Sequence, residues 1–160
     1  MKNTESFFKS ISGWRFTFFL LTKLPMGWLA GLKVESLSEN ECVTSVPFKY
    51  LTKNPFKSTY FAVLSMAAEL STAVSCLLAV RGQQPSVAYI IVDHKGRFIK
   101  KATGKVFFTC TDTRKAFNAV KMAQMTKDPQ TATFKTVGQM ADGTIVAEYE
   151  FTWSFKSRTD

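Results

Sequence analysis

A chain of 160 residues, 46% hydrophobic and 14% aromatic, can bury a sizeable core and is not a disordered segment. Its formal charge of +9 favours anionic partners, whether nucleic acid, lipid headgroups or a phosphorylated small molecule, without choosing among them. Cys42, Cys76 and Cys110 lack CxxC spacing and read as free thiols of a reducing, cytoplasmic compartment; one histidine, His94, leaves no histidine-based metal cluster and no Ser-His-Asp triad.

Residues 4–31 are dense in aromatics: Phe7, Phe8, Trp14, Phe16, Phe18, Phe19 and Trp28. The pattern predicts an amphipathic helix from about Thr4 to Thr22, stopped before Pro25. Arg15 and Lys23 break the apolar run, so nothing here spans a bilayer, and no small-residue cleavage site marks a signal peptide. Lys2, Lys9, Arg15 and Lys23 would suit a helix lying on a membrane surface. Packing on the domain, over the mouth of a pocket, is the favoured reading. Residues 33–50 read as extended, with Pro47 pointing to an edge or a bulge.

The organising stretch is Asn54 to Val80. Asn54 suits an N-cap and Pro55 the first helical position, and no Gly or Pro interrupts Ser58–Val80. A helix apolar on most faces belongs inside a protein. It is long enough to cross a bilayer, but Glu69 and a scatter of hydroxyls make that the weaker reading. Ser58, Ala62, Ser65, Glu69, Thr72 and Cys76 recur at steps of four and three, giving a small, mildly polar stripe with one carboxylate near its middle. Such a stripe faces a cleft or a subunit boundary, or is simply the wetter face.

Arg81–Pro85 reads as a loop. Val87–Val92 reads as a strand buried on both faces, Asp93–Gly96 as a turn, and Arg97–Lys101 as more sheet. Lys105–Thr111 puts Val106, Phe108 and Cys110 on one face. A helix follows, capped by Asp112 or Thr113, running to about Met125 and ended by Asp128-Pro129. Thr131–Met140 is a strand and Asp142-Gly143 a hairpin turn. In Thr144–Phe155, Ile145, Ala147, Tyr149, Phe151, Trp153 and Phe155 alternate with Val146, Glu148, Glu150, Thr152 and Ser154, which predicts a strand with one wet face. The order predicts an α+β domain over residues 1–160, an antiparallel sheet on one long apolar helix, with residues 1–31 as a helical segment packed on it.

From about Leu24 to Phe155 this layout resembles the hot-dog fold, a curved sheet wrapped around a central helix. Thioesterases of the phenylacetyl-CoA type carry an Asn, then His-Gly-Gly at the helix start, then an Asp or Glu further along. Here Asn54 and Glu69 have a matching separation, and Tyr60 stands where that family has its His. The stretch NPFKSTYFAVLSMAAELSTA looks closer still to a thioesterase-like hot-dog branch without an assigned reaction. His-Gly-Gly is replaced by Tyr60-Phe61-Ala62, which puts the mechanism in question rather than the fold.

The resemblance implies a site shared between two subunits of a homodimer or tetramer, with Glu69 of one chain facing Asn54 of its partner. Glu69 would act as general base or nucleophile, its pKa raised by burial. Asn54 would hold the water or carbonyl, Tyr60 would donate to the thioester oxygen, and the backbone N–H groups of Phe61 and Ala62 would polarise the carbonyl. The substrate would be an acyl-CoA or acyl-carrier thioester with an apolar acyl group, needing no further cofactor. The competing readings are a non-catalytic acyl- or CoA-binding protein and a structural dimer, with Asn54 only a cap, Tyr60 a core aromatic and Glu69 a satisfied charge. Lys95, Arg97, Lys100, Lys101 and Lys105 crowd one segment; they suit CoA phosphates or a solvated sheet edge. No helix-turn-helix, RNA-binding signature or zinc spacing supports nucleic-acid binding.

Overall fold

In a computed structural model, residues 2–158 are described. Three helices come first: α1 (Lys2–Ser10), α2 (Trp14–Lys23) and α3 (Pro25–Ala30). Strands β1 (Lys33–Leu37) and β2 (Cys42–Val46) lead through a short turn at Tyr50–Thr52 to α4 (Phe61–Val80). Then come β3 (Val87–Phe98), β4 (Val106–Cys110), α5 (Thr113–Thr126), β5 (Gln130–Met140) and β6 (Ile145–Ser157). The strands form one antiparallel sheet in the order β1-β2-β4-β5-β6-β3.

Helix α4 lies on this sheet and forms its core. It is long and apolar enough to cross a membrane, yet most of it is buried within the protein. Ala67, Ala68, Cys76 and Ala79 are fully enclosed, and their small side chains let the helix approach the strands closely. The stripe predicted as the wetter face is mostly an internal seam. The Ser65 hydroxyl meets Tyr149 OH at 3.0 Å, and Trp153 Nε1 donates to Thr72 Oγ1 at 3.0 Å. Beside it, Ser71 and Thr136 pair at 2.9 Å, and Thr44 Oγ1 donates to the Ala67 carbonyl at 2.7 Å. A buried hydroxyl without a partner is costly, so these pairs fix where the helix sits on the sheet.

Strand β6 carries the alternation the sequence predicts, with Ala147, Tyr149, Phe151, Trp153 and Phe155 buried. Val146, predicted on the wet face, is fully buried, whereas Ile145 is exposed. The ladder skips a residue here: Gly138 faces Ala147 and Gln139 faces Ile145, so Val146 is the extra residue of a bulge. The Asp142-Gly143 turn forms, with Gly143 at φ 86° and Asp142 Oδ1 accepting from the Thr144 N–H at 2.9 Å.

Four expectations are corrected. The N-terminal helix is two helices, because Gly13 adopts φ 73° and ψ −154°, a conformation open to glycine and not to a helix interior. Strand β3 is an edge strand and not one buried on both faces; Ile90 and Val92 are 66% and 55% exposed. No turn interrupts it at Asp93–Gly96. The long β6 supplies ladder partners out to Phe98, and Val92 is absorbed as a bulge between Ile91 and Asp93. Lastly, α4 begins at Phe61, not at Pro55, for reasons that lie in the loop before it.

Gly138 sits over the ring of Phe108. A Cβ there would fall 2.5 Å from Phe108 Cε1, and that ring is fully buried with nowhere to move. Gly138→Ala is therefore expected to destabilise the fold by about 1–3 kcal/mol, read from urea denaturation midpoints.

Candidate functional site

Glu69 sits near the middle of α4, between the buried Ala68 and Leu70. Its carboxyl opens into a cavity of about 440 Å³ beneath the N-terminal helices. Ile11, Phe16, Phe19 and Leu24 cover one side; Leu70, Ala73, Val74 and Leu77 of α4 and Tyr89 of β3 complete the apolar walls, and among the described residues Lys23 is the one cation lining it. Among the described residues nothing hydrogen-bonds or ion-pairs with the Glu69 carboxylate. Burial alone raises its pKa from the usual 4.5 to about 7. Near neutral pH the group is thus split between an acid and a base of matched strength, which is the condition for proton transfer.

Asn54 is not the N-cap of α4, which is Tyr60. The Asn54 Oδ1 accepts from Phe56 N at 3.0 Å, and from Ser58 N and Ser58 Oγ at 3.2 Å each. Its Nδ2 donates to the Thr59 carbonyl at 3.4 Å. Asn54 therefore closes its own loop, in which Lys57 takes φ 59°. Thr59 N then bonds Ala102 O, and Tyr60 N bonds Thr52 O, each at 2.8 Å. These bonds hold Thr59 and Tyr60 extended, so the helix cannot start earlier.

Tyr60 is the N-cap residue of α4, but its side chain makes no capping bond. Its carbonyl takes the N–H groups of Val63 and Leu64 at 3.0 and 3.2 Å. The N–H groups of Phe61 and Ala62, first in the helix, have no acceptor within it and point out at its positive end. Tyr60 and Phe61 are both exposed, so neither is a core aromatic. Their rings meet edge-on at 4.9 Å, and Phe61 meets Phe98 at 6.1 Å.

Asn54, Tyr60, Phe61, Phe98, Lys100 and Lys101 line one cleft of about 580 Å³. Glu69 lines another, about 12 Å along α4 from Phe61 at the helical rise. Within one chain the predicted site residues therefore fall into two groups.

The five crowded cations divide as well. Lys100 and Lys101 join the helix-start cleft. Lys95 and Arg97 stand across the ladder from Glu150 and Glu148 on the outer sheet surface. Lys105 Nζ pairs with Glu35 at 2.6 Å. Reading along the chain missed these opposing acids because they come from other strands. The sequence reading sets the N-terminal helix over the mouth of a pocket, and Ile11, Phe16 and Phe19 do cover the Glu69 cavity; Tyr89, its wall from β3, was missed.

No family model matches the chain, and no curated protein matches it. Solved structures do. A Pseudomonas aeruginosa protein of unknown function, named as a probable thioesterase, superposes with a TM-score of 0.77 at 17% identity, covering 89% of this chain and 95% of that one. The chain has the hot-dog fold. A thioesterase of Haemophilus influenzae gives a TM-score of 0.65 at 12% identity, over 89% of this chain and 90% of that one. A Gln-to-Ala mutant of a Pseudomonas aeruginosa thioesterase gives 0.69 at 14%, over 86% and 90%.

The raised pKa has a consequence for stability. Between pH 4.5 and about 7 the folded chain holds a proton on Glu69 that the unfolded chain has lost, so stability falls as pH rises through this window. Glu69→Gln removes that dependence. Its stability relative to the native chain should improve by about 3 kcal/mol between pH 4 and pH 8, read from urea denaturation at both pH values.

Proposed function

We propose that this protein is a thioesterase that hydrolyses an acyl thioester with an apolar acyl group and works as a homodimer. The observation that carries this reading is Glu69 at the wall of an apolar cavity, with no hydrogen-bond or ion-pair partner among the described residues and its pKa raised by burial. A carboxylate kept there at a cost to stability is a functional-site candidate. The hot-dog fold of the named thioesterases supports the same reaction class.

In this mechanism the Glu69 carboxylate takes a proton from water, and the resulting hydroxide attacks the thioester carbon. The N–H groups of Phe61 and Ala62 stabilise the oxyanion, with Tyr60 as an additional donor. The tetrahedral intermediate collapses, the C–S bond breaks, and the departing thiolate recovers the proton from Glu69. Lys100 and Lys101, beside the helix start, would hold phosphates of a CoA carrier. The acyl chain would lie along Phe16, Phe19, Leu70 and Val74. Since the two clefts are separate within one chain, the reaction needs Glu69 of one copy near the helix start of the other. The open β3 edge, with Ile90 and Val92 exposed, suits pairing of two copies. Asn54 serves as the support of the loop that presents Tyr60, because its oxygen already has three donors. Three buried free thiols fit a reducing compartment such as the cytoplasm.

A second reading, a non-catalytic acyl- or CoA-binding protein, is favoured by one observation: the exposed Phe61 ring stands at the helix start where the resembling family has glycine.

Thiol release from short, medium and long acyl-CoAs and one aryl-CoA separates the two. The thioesterase reading expects turnover whose kcat/KM rises with pH through about 7, since Glu69 must be ionised. It expects Glu69→Gln to lose about 10²–10⁴-fold in kcat. Saturable acyl-CoA binding without thiol release would establish the binding protein instead.

A further inference from the structure

We propose that the outer face of α2 and α3 docks on an anionic phospholipid surface. Helix α2 buries Phe16 and Leu20 against the protein, which is all its packing requires. Yet its opposite side is also apolar. Trp14, Phe18 and Leu21 follow one another at steps of four and three, so they form one stripe, and Trp14 and Phe18 are 75% and 62% exposed. Helix α3 adds exposed Met26, Trp28 and Leu29. An apolar patch rich in tryptophan and phenylalanine is what the headgroup–acyl boundary accepts.

The charges beside the stripe select the partner. Residues 6–34 contain no Asp or Glu and four cations: Lys9, Arg15, Lys23 and Lys33. Lys9, Trp14, Arg15 and Arg81 border a shared shallow depression, and the Arg15 guanidinium lies 5.7 Å from the Trp14 ring. The one acid there among the described residues, Glu5, is already paired with Lys9 at 3.6 Å. A second copy of this face would set cations against cations. Anionic headgroups would meet the cations while Trp14, Phe18 and Leu21 enter the boundary. Docking does not depend on the thioesterase reading, but it would give that reading a route for substrate. Phe19, Lys23 and Leu24 of the α2–α3 segment wall the Glu69 cavity, so its mouth would lie near the lipid.

The test is flotation of the full chain with vesicles, in the absence of any thioester. Phosphatidylcholine vesicles are compared with an about 7:3 mixture of phosphatidylcholine and phosphatidylglycerol, at low and high salt. Binding is expected to the anionic vesicles only, to weaken with salt, and to blue-shift the tryptophan emission. Trp14→Glu with Phe18→Glu should lower the partition coefficient about tenfold or more. Lys9→Gln and Arg15→Gln, at exposed positions that folding does not need, should each lower it about fivefold. No flotation of the folded native chain, or equal flotation with neutral vesicles, overturns the proposal. So does binding unchanged in both sets of variants; if size-exclusion chromatography then shows that Trp14→Glu with Phe18→Glu splits an oligomer, the face belongs to a second copy.

Discussion

The seating of α4 against the sheet governs everything else in the molecule. It needs small side chains at Ala67, Ala68 and Ala79, and hydroxyls at Ser71 and Thr72 that meet Thr136 and Trp153 from the strands. Apolar contact alone would allow the helix to slide or rotate, since burial is nearly indifferent to such motion. The directional bonds remove that freedom. With α4 fixed, its first turn is held at one end of the sheet and Glu69 at a set depth beneath α2. Both clefts are thus defined by one packing event.

Glu69 shows what such fixing permits. The Glu69 carboxyl, set on a rigid helix among apolar side chains, has no hydrogen-bond or ion-pair partner among the described residues. Its proton affinity rises because its surroundings are poor in charge and in hydrogen-bond donors, not because of a neighbouring acid. The contrast with Glu35 is instructive. That group, more exposed and bonded by Lys105, has its pKa lowered. Two glutamates in one chain thus stand on opposite sides of their ordinary value for opposite physical reasons.

Much of the fold was legible in the sequence. The alternation of β6, the apolar length of α4, and the Asp142-Gly143 turn are local signals, and each has its structure. What failed to show were features set by distant partners. The edge position of β3 depends on which strands flank it, so the apolar run Val87–Val92 looked central when it is not. Asn54 followed by Pro55 is a helix-start signal; here a longer-range pairing of Thr59 with Ala102 delays the helix by several residues. Glu69 stands out in the sequence as a lone charge in an apolar helix, and in the fold it lines a cavity. That cavity also needs Tyr89, which a linear reading cannot bring to it.

The two edges of the sheet are unlike, and this limits how far strands can add. At one end β1 is five residues long, bulged between Val34 and Ser36, and carries Lys33 and Glu35. At the other, β3 offers a long ladder whose first half is apolar and whose second half bears Asp93, Lys95 and Arg97. An incoming strand finds a template only at the β3 end, and only over the apolar half. A sheet that grows from one side can be extended once by a twofold partner and then has no growing end left. The same asymmetry that leaves an open edge therefore guards against runaway polymerisation into fibres.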